Sequence, residues 1–390
     1  MWVHNNSSIR ARFLLFSFFV LMLSLVACGG HSGGGSSDTS GSGSTVGGTG
    51  SVAVTFTDAP GSDFDEINVT VTRIQLLSDD GGHVTIFEGN KTFDLLQLSE
   101  VSQFFAIADG VPPGPWVKVR LTLDDLELVR KDDQGDVIET FHPHLPGNGK
   151  LDLNPRTMFF VVPGGTLLIE IDMDAKNSIH VVGTGNNKYQ FRSVVFVNIL
   201  EPGALGKIIR LEGTVAELGD NEFKLCLNDD PGLCVEVHMG AGTVIFDGNA
   251  DPIPFANLSA EDNVVVYARS RPDDGSPADD PDDDAENDFD VDALVVEVDN
   301  SGTFVALTGT ADDAPVMDMF PFIIDPAQAG IDAGTTVQVQ LQAATQIYSK
   351  EGDALDASAI AADVTGTASG VLSGAAALKS TIVILDTSTP

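Results

Sequence analysis

Basic residues are scarce in this chain. Twenty Lys and Arg stand against 57 Asp and Glu, a formal charge of −37. Nucleic-acid binding rests on clustered Lys and Arg that neutralise phosphates, so this composition excludes DNA and RNA as partners. It also disfavours attraction to anionic membrane surfaces, and suits a salty medium or the binding of cations. Cysteine is nearly absent: Cys28, Cys226 and Cys234 are the full set. None forms a Cys-x-x-Cys pair, which excludes a thioredoxin-type redox centre. With two Trp and three Tyr, the chain lacks the aromatic platforms on which sugars stack. Gly-x-Ser-x-Gly, Walker, His-Glu-x-x-His and EF-hand patterns are missing, so catalysis has no positive support. Amphipathic helical stretches are few, which leaves little room for an α-helical fold.

What is present begins at the N-terminus. Arg10 and Arg12 precede an apolar run from Phe13 to Val26, and no acidic residue occurs before Asp38. The run is shorter than the ~20 residues a membrane span needs, and it ends in Leu25-Val26-Ala27-Cys28. A positive start, a short apolar segment and small residues before a cut define a secretory signal peptide. The ending resembles the lipobox of bacterial lipoproteins. That resemblance implies cleavage of residues 1–27 and acylation of Cys28, giving a palmitate-type lipid anchor. Residues 28–50 are almost wholly Gly, Ser and Thr, a flexible coil with an r.m.s. reach of roughly 25 Å. Gly29, where the resemblance places Asp for inner-membrane retention, points to the cell outer membrane, with a periplasmic or surface-facing body.

After Gly50, alternation with period two dominates. Val52-Ala53-Val54-Thr55-Phe56, Ile67-Asn68-Val69-Thr70-Val71 and Val117 to Leu123 are examples, separated by turns such as Asp79-Asp80-Gly81-Gly82 and Pro112-Pro113-Gly114. Short strands at regular spacing indicate a sandwich, with one short helix expected between Leu95 and Ile107. Thr57-Asp58-Ala59-Pro60, Phe93 to Leu98, Gly114-Pro115-Trp116-Val117-Lys118-Val119-Arg120-Leu121 and Ile171-Asp172-Met173-Asp174 occur in that order. This succession resembles the DUF4382 family over about residues 51–202. The resemblance implies a β-sandwich lipoprotein domain and transfers no activity. Asp58 reads as a turn-capping carboxylate. Asp172 and Asp174 share a strand face, either solvated or, with Asp58, part of a cation site.

The rest of the chain repeats itself. Leu211-Glu212-Gly213-Thr214 corresponds to Leu307-Thr308-Gly309-Thr310, Thr243-Val244-Ile245-Phe246 to Thr345-Gln346-Ile347-Tyr348, and Ala293 to Val298 to Ala377 to Ile382. Two tandem modules follow, over residues 207–299 and 303–387. Each resembles DUF5666, which implies a small OB-like β-barrel. The expected fold is therefore all-β: a sandwich followed by two barrels, preceded by signal peptide and tether.

Between Gly203 and Pro390 there are 34 acidic and 7 basic residues. Eleven of the acids lie in an acidic loop at 273–292, where Asp282, Asp284, Glu286, Asp288, Asp290 and Asp292 alternate along the chain. A solvated loop held open by repulsion is one reading. The other is calcium, whose six to eight oxygens such a loop would supply; no other cofactor is implied. Cys226 and Cys234 flank Asn228-Asp229-Asp230-Pro231-Gly232, a strong turn. A hairpin there sets the two sulfurs opposite each other for a structural disulfide, free thiols and a redox pair being the alternatives. His142 and His144 form a short pair without evident further ligands. The leading expectation is a non-enzymatic binding, adhesion or scaffold protein, lipid-anchored to the membrane, with a polysaccharide or envelope protein as partner. A calcium-assisted carbohydrate-binding lipoprotein is the alternative, and a hydrolase ranks below both.

Overall fold

Strand β2 (Glu66–Leu77) shows how the alternating sequence becomes a sheet. Ile67, Val69 and Val71 point inward and are fully buried, whereas Asn68 and Thr70 point outward. At Thr72 the register against the neighbouring strands shifts, and Ile74 and Leu76 then resume the inward face. A bulge is what lets a three-residue step keep the same face buried. The computed structural model describes residues 48–390 except 59–63, 99, 133–134, 183–187, 201–203, 231, 272–288, 375 and 388–390. Cys28, the expected signal peptide, most of the expected tether, and Asp282, Asp284, Glu286 and Asp288 lie outside these residues.

The first part is the sandwich. Its strands are β1 (Gly50–Asp58), β2, β3 (His83–Asp94), β4 (Ser102–Val111), β5 (Lys118–Lys131), β6 (Val137–Phe141), β7 (Lys150–Leu153), β8 (Thr166–Met173), the small β9 (Ile179–Val182) and β10 (Lys188–Phe191) pair, and β11 (Val195–Leu200). One sheet runs β3-β2-β5-β6, with β7 also on β5; the other runs β11-β8-β1-β4, with β1 and β8 parallel. Phe56, Phe93 and Phe105 pack between them, with Phe56 4.8 Å from Phe93 and 4.9 Å from Phe105. The helix expected over Leu95 to Ile107 is only a 3-10 turn, Leu95–Leu98, followed by β4. Phe104 and Phe105 enter different cores on the two faces of β4. A short, continuous apolar run buried on both sides is a strand pattern that periodicity alone does not separate from a helix.

The first barrel contains β12 (Ile208–Leu218), β13 (Glu222–Leu227), β14 (Cys234–Phe246), β15 (Pro252–Ile253), β16 (Asn263–Arg271) and β17 (Asp290–Val298). Its five main strands follow β12-β13-β14-β17-β16, and β16 closes back onto β12 from Ile208↔Arg269 to Thr214↔Asn263. The second barrel contains β18 (Phe304–Ala311), β19 (Met319–Ile324), β20 (Thr336–Gln340), β21 (Gln346–Ser349), β22 (Thr365–Leu372) and β23 (Ala377–Leu385). It repeats the plan: β18 pairs β19 and β22, β19 pairs β20, and β23 pairs both β22 and β20. The long β14 corresponds to β20 plus β21, split by a turn. All three repeated sequence segments fall on equivalent strands. Gly213 and Gly309 show why the repeat keeps a glycine. A Cβ there would sit 2.4 Å from the Cys226 carbonyl oxygen and 2.1 Å from that of Ile323, respectively. Only hydrogen fits where the neighbouring backbone crosses so closely.

The three parts are not separate beads. Strand β12 pairs parallel with β4 at Ile209↔Ser102 and Arg210↔Gln103, so the sandwich sheet runs on into the first barrel. Ala53, Phe104 and Leu168, on the outer face of that sheet, belong to the barrel's core. The two barrels in turn share a core containing Phe246, Tyr267, Val295, Tyr348 and Ile384. Arg269 donates to the carbonyls of Gly206 and Gly352, each at 3.2 Å.

Candidate functional site

Where the three parts meet, the chain leaves a cleft of about 490 Å³. The sandwich supplies Asp94, Gln97 and Gln103, the first barrel Arg210, Glu212 and Asn228, and the second barrel Thr308 and Thr367. The size lies within the usual range for small-molecule sites. Asp94 is there for a structural reason: its Oδ1 accepts from the Ile67 and Leu96 amides at 2.9 and 3.1 Å, tying β2 to the 3-10 turn. Burial pushes its pKa up, against the pull of those two amides.

Arg210 on β12 is the cation of the cleft. Its Nε donates to the Tyr267 hydroxyl at 3.3 Å, Nη1 donates to Glu212, and the guanidinium lies 6.0 Å from the Tyr267 ring centre. Burial opposes its charge, but the Tyr267 and Glu212 oxygens outweigh that and hold its pKa above the ordinary value. One lip of the cleft is the β13–β14 turn, which carries Leu227, Asn228 and Asp229. The structure joins Cys226 to Cys234 by a disulfide at the base of this turn. Asp229 also pairs with Lys91 of β3 at 2.5 Å, fastening the lip to the sandwich.

Behind the cleft, between the sandwich sheet and the barrels, is a buried polar layer. Thr55, Glu100, Ser102 and Ser270 are each nine-tenths or more buried, and each has a side-chain oxygen without a hydrogen-bond partner among the described residues. Glu100 is pushed up to about 7 by burial and by Asp386, with Lys350 and Lys207 offsetting part of that. Burial likewise raises Glu170 and Asp172 despite the nearby Lys207. Further in, Glu297 on β17 is fully buried and accepts from the Thr381 hydroxyl of β23. Its pKa is pushed up to about 7 by burial, which the Thr381 and Ser369 hydroxyls and Arg210 only partly oppose.

The residues singled out from sequence are dispersed. Asp172 and Asp174 have different partners. Lys207 brings its ammonium to 4.0 Å from Asp172 and 3.4 Å from Thr57 Oγ1. Asp174 turns away to accept from the Asn177 amide and side chain at 2.9 and 2.6 Å. In the β1–β8 register Asp58 falls beside Met173, and Thr57 falls beside Asp172. Trp116 is buried, its Nε1 donating to the Pro112 carbonyl at 3.1 Å. His142 Nδ1 lies 3.0 Å from Asp125. Of the alternating acidic run, only Asp290 and Asp292 are described, both on β17, and Asp292 lies 3.7 Å from Arg271.

Sequence reasoning passed over Arg210, Tyr267, Glu100 and Glu297. Arg210 and Glu297 carried a signal: each is a charged residue inside a strongly apolar strand, Ile208 to Leu211 and Leu294 to Val298.

Residues 49–193 match the family described as Domain of unknown function (DUF4382). No curated protein matches the chain, and no solved structure does.

Proposed function

We propose that this is a lipid-anchored protein of the cell outer membrane whose three-part body is a non-enzymatic binding or scaffold unit, with the junction cleft as its ligand site. The observation that carries the binding half is the cleft itself: all three parts line it, and a shared sheet and shared cores hold it in shape. Pre-formed walls lower the ordering cost of binding.

Anchorage through Cys28 is supported by the apolar run ending in Leu25-Val26-Ala27-Cys28 and by the Gly/Ser stretch after it. A second support is the end of the sandwich at which the described chain enters. Gly164 donates to the Thr49 carbonyl at 2.9 Å there. The preceding segment exposes Met158 (60 %), Phe160 (52 %) and Val162 (40 %). An apolar edge beside the chain's entry suits a body held close to lipid. The equivalent strand order of the two barrels, with Gly213 and Gly309 at matching places, supports reading both as DUF5666-like modules.

Membrane fractionation of the full chain tests the anchor. Wild type is expected in the membrane fraction and Cys28→Ser in the soluble one; a membrane-bound Cys28→Ser protein refutes anchorage by Cys28.

A polysaccharide ligand, assisted by calcium on the acidic loop, is the second reading. The amide side chains of Gln97, Gln103 and Asn228 favour it, because they pair well with sugar hydroxyls. A glycan array with and without calcium tests it, with Gln103→Ala and Asn228→Ala as cleft variants. Retention lost in both variants supports a sugar in the cleft, and no retained glycan refutes it.

A further inference from the structure

We infer that Glu222, Glu236 and His238 form a mononuclear site for a divalent transition-metal ion of the zinc type, on the outer face of the first barrel. Asp290 acts there as the residue that positions the imidazole. The proposal depends neither on the lipid anchor nor on what the cleft holds, and Asp290 is its only member from the acidic run.

Strand register builds the site. Glu222 of β13 pairs directly with His238 of β14, and Glu236, two residues earlier, lies on the same face. The intervening Val235 and Val237 point into the barrel core, which fixes the three polar side chains outward. On the other side of β14, Asp290 of β17 pairs with Glu236. One ligand atom from each of Glu222, Glu236 and His238 lies within 4.8 Å of the other two, and among the described residues no other such convergence of His, Cys, Asp or Glu occurs.

The imidazole separates this group from an acidic patch. Its Nδ1 lies 3.3 Å from Glu222 Oε2, and its Nε2 lies 3.5 Å from Asp290 Oδ2. Nε2 is shielded from solvent and makes no well-aligned hydrogen bond among the described residues. That arrangement leaves Nδ1 as a ligand and turns Nε2–H toward a carboxylate, the outer-shell geometry that orients metal-bound histidines. Zinc–nitrogen and zinc–oxygen bonds of about 2.0–2.2 Å place ligand atoms roughly 3–3.5 Å apart. Closing the group onto an ion therefore takes small side-chain rotations, with no movement of the sheet.

The donor set favours an ion of the zinc type, because two carboxylates and one imidazole are ligands that zinc accepts. Calcium takes six to eight oxygens and fits poorly beside a nitrogen ligand. Glu222 keeps 43 % of its side chain exposed and opens the site to water, while His238 and Asp290 keep 17 % and 18 %. Three protein ligands with an open solvent side leave a further coordination position free.

Isothermal titration of the untagged full chain with zinc, and in parallel with calcium, tests the inference. One saturable zinc per chain is expected. His238→Ala and Glu236→Gln should each weaken it at least about tenfold, and Asp290→Asn by about ten- to a hundredfold. The calcium isotherm should be the same in wild type and His238→Ala. X-ray absorption of the zinc-loaded wild type should show a single imidazole in the shell. Circular dichroism confirms that each variant is folded, and the outward Glu236→Gln change keeps the side-chain shape. Absence of saturable zinc in wild type overturns the proposal, as does zinc binding unchanged in folded His238→Ala.

Discussion

Glu297→Gln should make the protein more stable at alkaline pH and leave it nearly unchanged at acid pH. Glu297 is fully buried and its pKa is pushed up to about 7 from an ordinary 4.5. Below pH 4.5 it is protonated in both the folded and the unfolded chain. Between pH 4.5 and 7 the unfolded chain releases the proton while the folded chain keeps it, so stability falls as pH rises. Above pH 7 the folded protein carries a buried carboxylate, or has to ionise one, at a cost of about 3 kcal/mol, from the 2.5-unit difference at 1.36 kcal/mol per unit. Gln can still accept from the Thr381 hydroxyl and cannot ionise. Urea denaturation followed by far-UV circular dichroism, at pH 5 and pH 8, measures the difference between the two proteins. That difference should grow from pH 5 to pH 8 in favour of the variant, by about 2.5 kcal/mol, since part of the loss is already present at pH 5. A difference that does not change with pH would refute the buried ionisation.

Glu100 is a second case of the same kind, with its own pKa pushed up to about 7; Glu100→Gln should flatten the pH dependence over the same window, checked by the same denaturation series. Gly309→Ala would place a Cβ 2.1 Å from the Ile323 carbonyl oxygen, so it should destabilise the second barrel by about 1–3 kcal/mol in urea. Removing the disulfide through Cys226→Ser with Cys234→Ser frees a short loop, costing about 2–3 kcal/mol. It should also speed amide hydrogen exchange at Asn228 and Asp229 on the cleft lip, read by mass spectrometry.

Much of the fold was legible because local chemistry decides it. Alternation in Ile67 to Val71 sets a two-faced strand whatever lies around it. The Asn-Asp-Asp-Pro-Gly turn places Cys226 opposite Cys234, and the recurring Leu-x-Gly-Thr segments mark strands in equivalent places in two barrels. The stretch from Leu95 to Ile107 is helical only over its first turn and then becomes strand β4. What makes Phe104 and Phe105 a strand is a second apolar surface, the first barrel, and nothing within the stretch announces it.

The sequence by itself determined the acidic character, the strand-rich chain and the duplication of the barrels. These follow from composition, period and turn residues, which act over a few positions. Tertiary structure alone decided which charges meet. Arg210 reaches Tyr267 because β12 closes onto β16. Glu297 meets Thr381 because the two barrels share a core. Glu222, Glu236 and His238 converge because β13 and β14 align in one register. In a chain with 57 acidic residues almost any pairing is conceivable, and only strand register, fixed by the buried faces, selects among them.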